Sequence, residues 1–97
     1  MEIKVEIVRL LESREGKSQK SGENWHINTY LCETYDQFKL NKFTFDVFGE
    51  ERIKRLALKE GNSYTIYFDL NGREYQGKWY TSIRVYDARL IEEGKKA

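Results

Sequence analysis

Between Ser63 and Leu90 the chain interleaves rings with cations: Tyr67, Arg73, Tyr75, Lys78, Tyr80, Arg84 and Tyr86. Counted outward from a two-residue loop at Gln76-Gly77, this stretch folds into one long β-hairpin whose two faces segregate. Leu70 meets Ile83 and Phe68 meets Val85 on one side. On the other, Tyr75 faces Lys78, Arg73 faces Tyr80, Asp69 faces Arg84 and Tyr67 faces Tyr86. Asn71-Gly72 is the stronger turn dipeptide taken alone. It would set Leu70 against Arg73 and Phe68 against Tyr75, mixing the faces. The longer hairpin is therefore expected, with Asp87 opposite Ile66 as its one poor pair.

Flat rings beside cations suit a single-stranded nucleic acid. Exposed bases stack on such rings at about 1–3 kcal/mol each, while Lys and Arg neutralise phosphates. The same pattern has two plainer uses. Aromatic and opposite-charge pairs strengthen any hairpin by about 0.2–1 kcal/mol each, and Tyr and Arg are enriched where subunits meet.

Little else in the chain offers chemistry. The single histidine, His26, and the single cysteine, Cys32, cannot make a zinc site. Ser, His and Asp are present without a nucleophile-elbow context, and there is no phosphate-cradling glycine loop or metal-binding acidic loop. An enzyme is not expected, nor a cofactor or a metal.

The 97 residues suffice for one domain with one modest core. Hydrophobic residues make up 39%, which fits a soluble fold, and a 14% aromatic share rich in Tyr favours β structure. No apolar run approaches the ~20 residues of a membrane span, and the start, Met1-Glu2-Ile3-Lys4-Val5, is unlike a signal peptide. One cysteine excludes an internal disulfide and fits a reducing cytoplasm. The net charge of +1 and a pI near 7.8 lower the expected affinity for nucleic acid, because avid binders often exceed a pI of ~9. The hairpin face is locally basic all the same, with Arg73, Lys78 and Arg84 against Asp69.

These residues need a scaffold, and the alternation of the chain supplies one. Glu2 to Leu11 reads as a strand with Ile3, Val5 and Ile7 inward. Ser13 to Glu23, without an apolar residue, reads as a flexible loop carrying Arg14, Lys17 and Lys20. Asn24 to Thr34 alternates with Trp25, Ile27 and Leu31 inward and His26, Asn28 and Tyr30 outward. Leu40 to Phe48 follows with Phe43, Phe45 and Val47 inward and Lys42, Thr44 and Asp46 outward; a short connection around Tyr35-Asp36-Gln37 makes the two antiparallel neighbours. Glu50 to Lys59 shifts to helical spacing, with Glu50–Lys54 and Glu51–Arg55 pairs and Gly61 as its stop. Three strands, a short helix and a closing hairpin are the arrangement of an all-β OB-fold, a five-stranded antiparallel Greek-key barrel with one helix between strands 3 and 4. One domain over residues 1–91 and a polar tail over 92–97 are expected. The core would hold Ile3, Val5, Ile7, Ile27, Leu31, Phe43, Phe45, Val47, Ile66, Phe68, Leu70, Ile83 and Val85.

The run Arg73-Glu74-Tyr75-Gln76-Gly77-Lys78-Trp79-Tyr80-Thr81-Ser82-Ile83-Arg84-Val85 resembles the closing hairpin of bacterial single-stranded DNA-binding proteins. The chain as a whole, through its Met1-Glu2-Ile3 start, Gly22-x-x-Trp25, Phe45-x-Val47-Phe48-Gly49 and the Tyr75-to-Thr81 hairpin, is similar to a family of short bacterial proteins known as a domain of unknown function and taken to be OB-folds. The resemblance implies a barrel that binds single-stranded nucleic acid, with oligomers as one of its states. The replicative members end in an acidic tail that recruits partners, whereas this chain ends Glu92-Glu93-Gly94-Lys95-Lys96-Ala97.

Two expectations follow. In the first, single-stranded DNA or RNA, DNA being favoured, binds with little sequence preference across the outer face of strands 2 and 3, the first loop and the hairpin tip. His26, Tyr30, Lys42, Arg73, Tyr75, Lys78, Trp79, Tyr80 and Arg84 are its candidate residues. Trp79 has inward parity and would either project past the barrel mouth or plug it against Trp25. In the second, the same rings form a homo-oligomer or partner-protein interface.

Overall fold

A computed structural model describes residues 1–20, 22–36 and 39–94. Its elements are β1 (Glu2–Lys17), β2 (Asn24–Asp36), β3 (Lys39–Phe48), α1 (Glu50–Leu56), β4 (Ser63–Tyr75) and β5 (Lys78–Glu92). The strands lie in the order β1-β2-β3-β5-β4, and the sheet closes through pairing of β1 with β4. The element order is the expected one. The sheet is mixed rather than wholly antiparallel, because β3 meets β5 in parallel at Asp46 and Arg84. Gln37, in the expected β2–β3 connection, and Lys95 to Ala97 of the expected tail lie outside the described residues.

Two β-bulges shape β1. Register slips between Ile7 and Arg9 and between Leu10 and Glu12, so each extra residue turns the strand and resets its alternation. Strand pairing continues to Lys17 against Asn24. The polar stretch from Ser13 to Lys17, expected to be loop, is therefore strand; a strand that extends past the core needs backbone partners but no apolar face.

The core comprises Val5, Ile7, Tyr30, Cys32, Phe45, Val47, Tyr64, Ile66 and Val85. Its main correction is β2, whose alternation runs opposite to expectation. Asn28, Tyr30 and Cys32 point inward, while Ile27 and Leu31 are only half buried. Register decides this: Tyr30 opposes Phe45, Cys32 opposes Phe43 and Asn28 opposes Val47, and directly opposed residues share a face. The Tyr30 ring stacks on Phe45 with centroids 5.5 Å apart. Buried Asn28 accepts the Ser13 hydroxyl proton at 2.6 Å through Oδ1 and donates to the Tyr30 hydroxyl at 3.2 Å, so little hydrogen-bonding capacity is lost on burial. Burial pushes the Cys32 thiol up to about 12, with the Glu33 charge adding to the effect.

Helix α1 is shorter than expected. The Ala57 N–H closes on the Ile53 carbonyl at 3.1 Å with Ala57 itself left-handed (φ 45°), so the helix stops before Gly61. Glu50 and Lys54 pair at 3.3 Å as expected. Arg55 instead donates to the Tyr86 carbonyl at 3.2 Å, tying the helix to β5.

One electrostatic conflict is built into the frame. Glu6 and Glu33 stand directly opposite on β1 and β2, and like charges in that position repel. Partial desolvation first, then hydrogen bonding to Glu33 and the charges of Glu33 and Glu92, raise the Glu6 carboxyl above its ordinary 4.5. A raised carboxyl favours the protonated folded state, so stability falls as pH rises through that range. Glu33→Gln is expected to raise the thermal midpoint at neutral pH, with the gain shrinking as pH is lowered toward 4.5; paired melting curves at the two pH values check it.

Candidate nucleic-acid interface

The hairpin turns at Gln76-Gly77, where both residues adopt the positive φ that a two-residue loop demands, 52° and 78°. Pairing then runs as expected through Tyr75/Lys78, Arg73/Tyr80, Leu70/Ile83, Asp69/Arg84 and Phe68/Val85. Below that the register slips: Tyr67 aligns with Asp87 rather than Tyr86, and Ala88 rather than Asp87 faces Ile66. The bulge thus places a small apolar residue against the buried isoleucine and removes the one poor pair.

Beyond Leu70 and Ile83 the hairpin becomes an arm. Residues 72–82 are exposed, so its two faces are both available. Arg73, Tyr75, Tyr80 and Ser82 line one concavity of about 300 Å³ on the outer face, with Lys78 across from Tyr75. Ser82 also lines a neighbouring groove of about 490 Å³, where Lys42, Thr44 and Asp46 of β3 face Thr81 and Ile83 of β5. Lys42 is therefore reachable along one continuous surface from the arm. Arg84, farther down the same face of β5, lies over the Phe48 ring with its guanidinium carbon 4.5 Å from the centroid.

Three expected residues lie elsewhere. Tyr30 is 6% exposed and belongs to the core, so its ring cannot receive a base. His26 shares that inward parity and is partly buried. Because the Ser13 proton goes to Asn28, His26 donates from Nε2 to the Ser13 oxygen at 2.8 Å, and its Nδ1 is buried without a partner. Trp79 pairs with Glu74 on the face of the arm opposite the ring-and-cation concavity. At 72% exposure it is not a plug against Trp25. Of the first-loop cations, Arg14 and Lys17 stand on β1, and Arg14 lies 3.6 Å from Glu12.

The reversed parity of β2 turns outward three residues whose alternation predicts an inward face. Trp25, Ile27 and Leu31 share the outer face with Phe48 and Thr44. Trp25 rests on Gly16, opposite it in β1: a Cβ at Gly16 would stand 2.6 Å from the indole. One indole face is thus seated on backbone, while the residue keeps 43% exposure. The signal was available in sequence as a glycine able to oppose an aromatic across two strands, but only with the bulged register of β1 in hand.

The surface therefore runs from Lys42 on β3 to Arg73, Tyr75 and Tyr80 on the arm, whereas Trp25 stands at the other end of β2, beyond the Ile27–Phe48 pair and far from Glu33, which faces Lys42. Such a surface can stack planar groups and neutralise anions, and no described group of His, Cys, Asp and Glu could hold a metal ion.

The fold is shared with a solved structure of the mitochondrial single-stranded DNA-binding protein Rim1 from S. cerevisiae, with a TM-score of 0.64 and 22% sequence identity over 98% of this chain and 95% of that one. Among curated proteins no sequence match is found. The model of the family described as a domain of unknown function, DUF3127, matches residues 2–89. With nearly its whole length matched, the chain belongs to the DUF3127 family.

Proposed function

We propose that this protein is a non-catalytic OB-fold module that binds single-stranded DNA with little sequence preference. The observation that carries the proposal is the outer concavity of the arm, where Tyr75 and Tyr80 stand beside Arg73 with no ion pair to Arg73 among the described residues. Stacking needs only a π-face, which every base has, so affinity comes without sequence readout. Lys42 and Lys78 add phosphate neutralisation along the same surface. The shared fold with a single-stranded DNA-binding protein supports the proposal. No helix of the described residues is long and apolar enough to cross a membrane, and a cytoplasmic setting suits the reduced Cys32.

The test is fluorescence anisotropy with a labelled oligothymidine and a length-matched duplex, each over a salt series. The single strand is expected to bind more tightly, with log affinity falling against log salt at about −0.7 per neutralised phosphate. A specific observation favours a second outcome: Trp79 and Leu70, 72% and 53% exposed, lie on the other face of the arm. Absence of binding at low salt, together with a dimer in light scattering that Trp79→Ala dissociates, would assign the arm to protein contact instead.

A further inference from the structure

We propose that Arg84, Arg52 and Phe48 form a phosphodiester subsite beside the aromatic arm, resting on the single-strand function proposed above. The three line one concavity of about 420 Å³, together with Asp69 and Tyr86. It adjoins the arm, because Arg84 stands two residues along β5 from Ser82, which lines the ring concavity.

What marks the site is a pair that does not form. Asp69 is directly opposite Arg84 in the hairpin, and a structural arginine would be expected to bridge to it. No ion pair joins them, and Arg84 sits over Phe48 instead. A guanidinium held against a ring keeps its charge and leaves N–H donors for an oxyanion. Among the described residues the side chain of Arg84 has no hydrogen-bond or ion-pair partner, and neither has that of Arg52. The other nearby carboxylate, Asp46, is aligned with Arg84 on β3 and accepts the Thr29 hydroxyl at 2.6 Å. Asp46 does not line the concavity, and among the residues that do, two arginines against one carboxylate, Asp69, leave a net positive charge, which a phosphodiester monoanion matches. The ring limits where the Arg84 side chain can go, so less freedom is lost when phosphate binds.

The experiment compares the wild type with Arg84→Gln, Arg52→Gln and Phe48→Leu in the oligothymidine salt series, each variant first shown to be folded by its thermal transition. Each arginine variant is expected to reduce the salt slope by about 0.7 and to weaken low-salt binding by about tenfold. Phe48→Leu keeps both charges, so its slope should stay while affinity falls about two- to fivefold. If the wild type binds and both arginine variants keep its slope and affinity, the subsite is wrong and the arm stands alone. If the wild type binds no single strand at low salt, subsite and proposed function fall together.

Discussion

Changing Tyr75 and Tyr80 together to Ala is expected to weaken oligothymidine binding by about thirtyfold or more, the loss of two stacked bases at about 1–3 kcal/mol each. The rings are 58% and 51% exposed, so little of the core depends on them, and surface substitutions of this kind usually change stability by no more than about 0.5 kcal/mol. The charge inventory is unchanged, so the salt slope should hold while the intercept drops. That separates stacking from neutralisation. The matching pair Tyr75→Phe and Tyr80→Phe keeps both π-faces and should bind within about twofold of the wild type, since stacking does not use the hydroxyl. Wild-type affinity in the double alanine variant would remove the arm from the binding surface and leave Trp25 and its neighbours to account for any binding observed.

The hairpin was legible because its two candidate turns make opposite predictions about every pair, and only one separates apolar from polar residues. Even its flaw was informative: Asp87 against Ile66 marked where the bulge at Tyr86 would come. The inner faces of β1 and β3 were legible for the same reason, since Ile3, Val5, Ile7 and Phe43, Phe45, Val47 leave one choice of face. Strand β2 offers two. Trp25, Ile27 and Leu31 make one apolar set, and Tyr30 and Cys32 with Asn28 make another of smaller hydropathy. Side-chain hydropathy favours the first set. The choice is instead made by cross-strand register, which places Tyr30 on Phe45, and by the Ser13–Asn28–Tyr30 hydrogen bonds. Neither is visible along one strand. The end of β1 was hidden similarly: from Ser13 on, the strand is carried by backbone pairing and by cross-strand contacts of Ser13 and Gly16, none of which a polar sequence announces. The candidate site inherited both errors, losing Tyr30 to the core and overlooking Trp25 on Gly16.

The inward placement of Tyr30 has a large energetic consequence. Tyr30→Ala is expected to cost about 3–5 kcal/mol, the usual range for deleting a buried ring, against a total stability of about 5–15 kcal/mol for a domain of this kind. The ring's stacking on Phe45 and its burial at 6% exposure place it where the surroundings cannot readily collapse. Tyr30→Phe retains the ring and removes only the acceptor for the Asn28 amide, so it should cost about 1–3 kcal/mol for the polar group left unsatisfied. Urea unfolding measures both, with an unchanged m-value indicating that stability alone has moved. Oligothymidine binding by folded Tyr30→Phe should match the wild type. The opposite pattern, wild-type stability in Tyr30→Ala with binding lost, would place this ring on the outer surface. That would exchange the faces of β2 and return Trp25, Ile27 and Leu31 to the core.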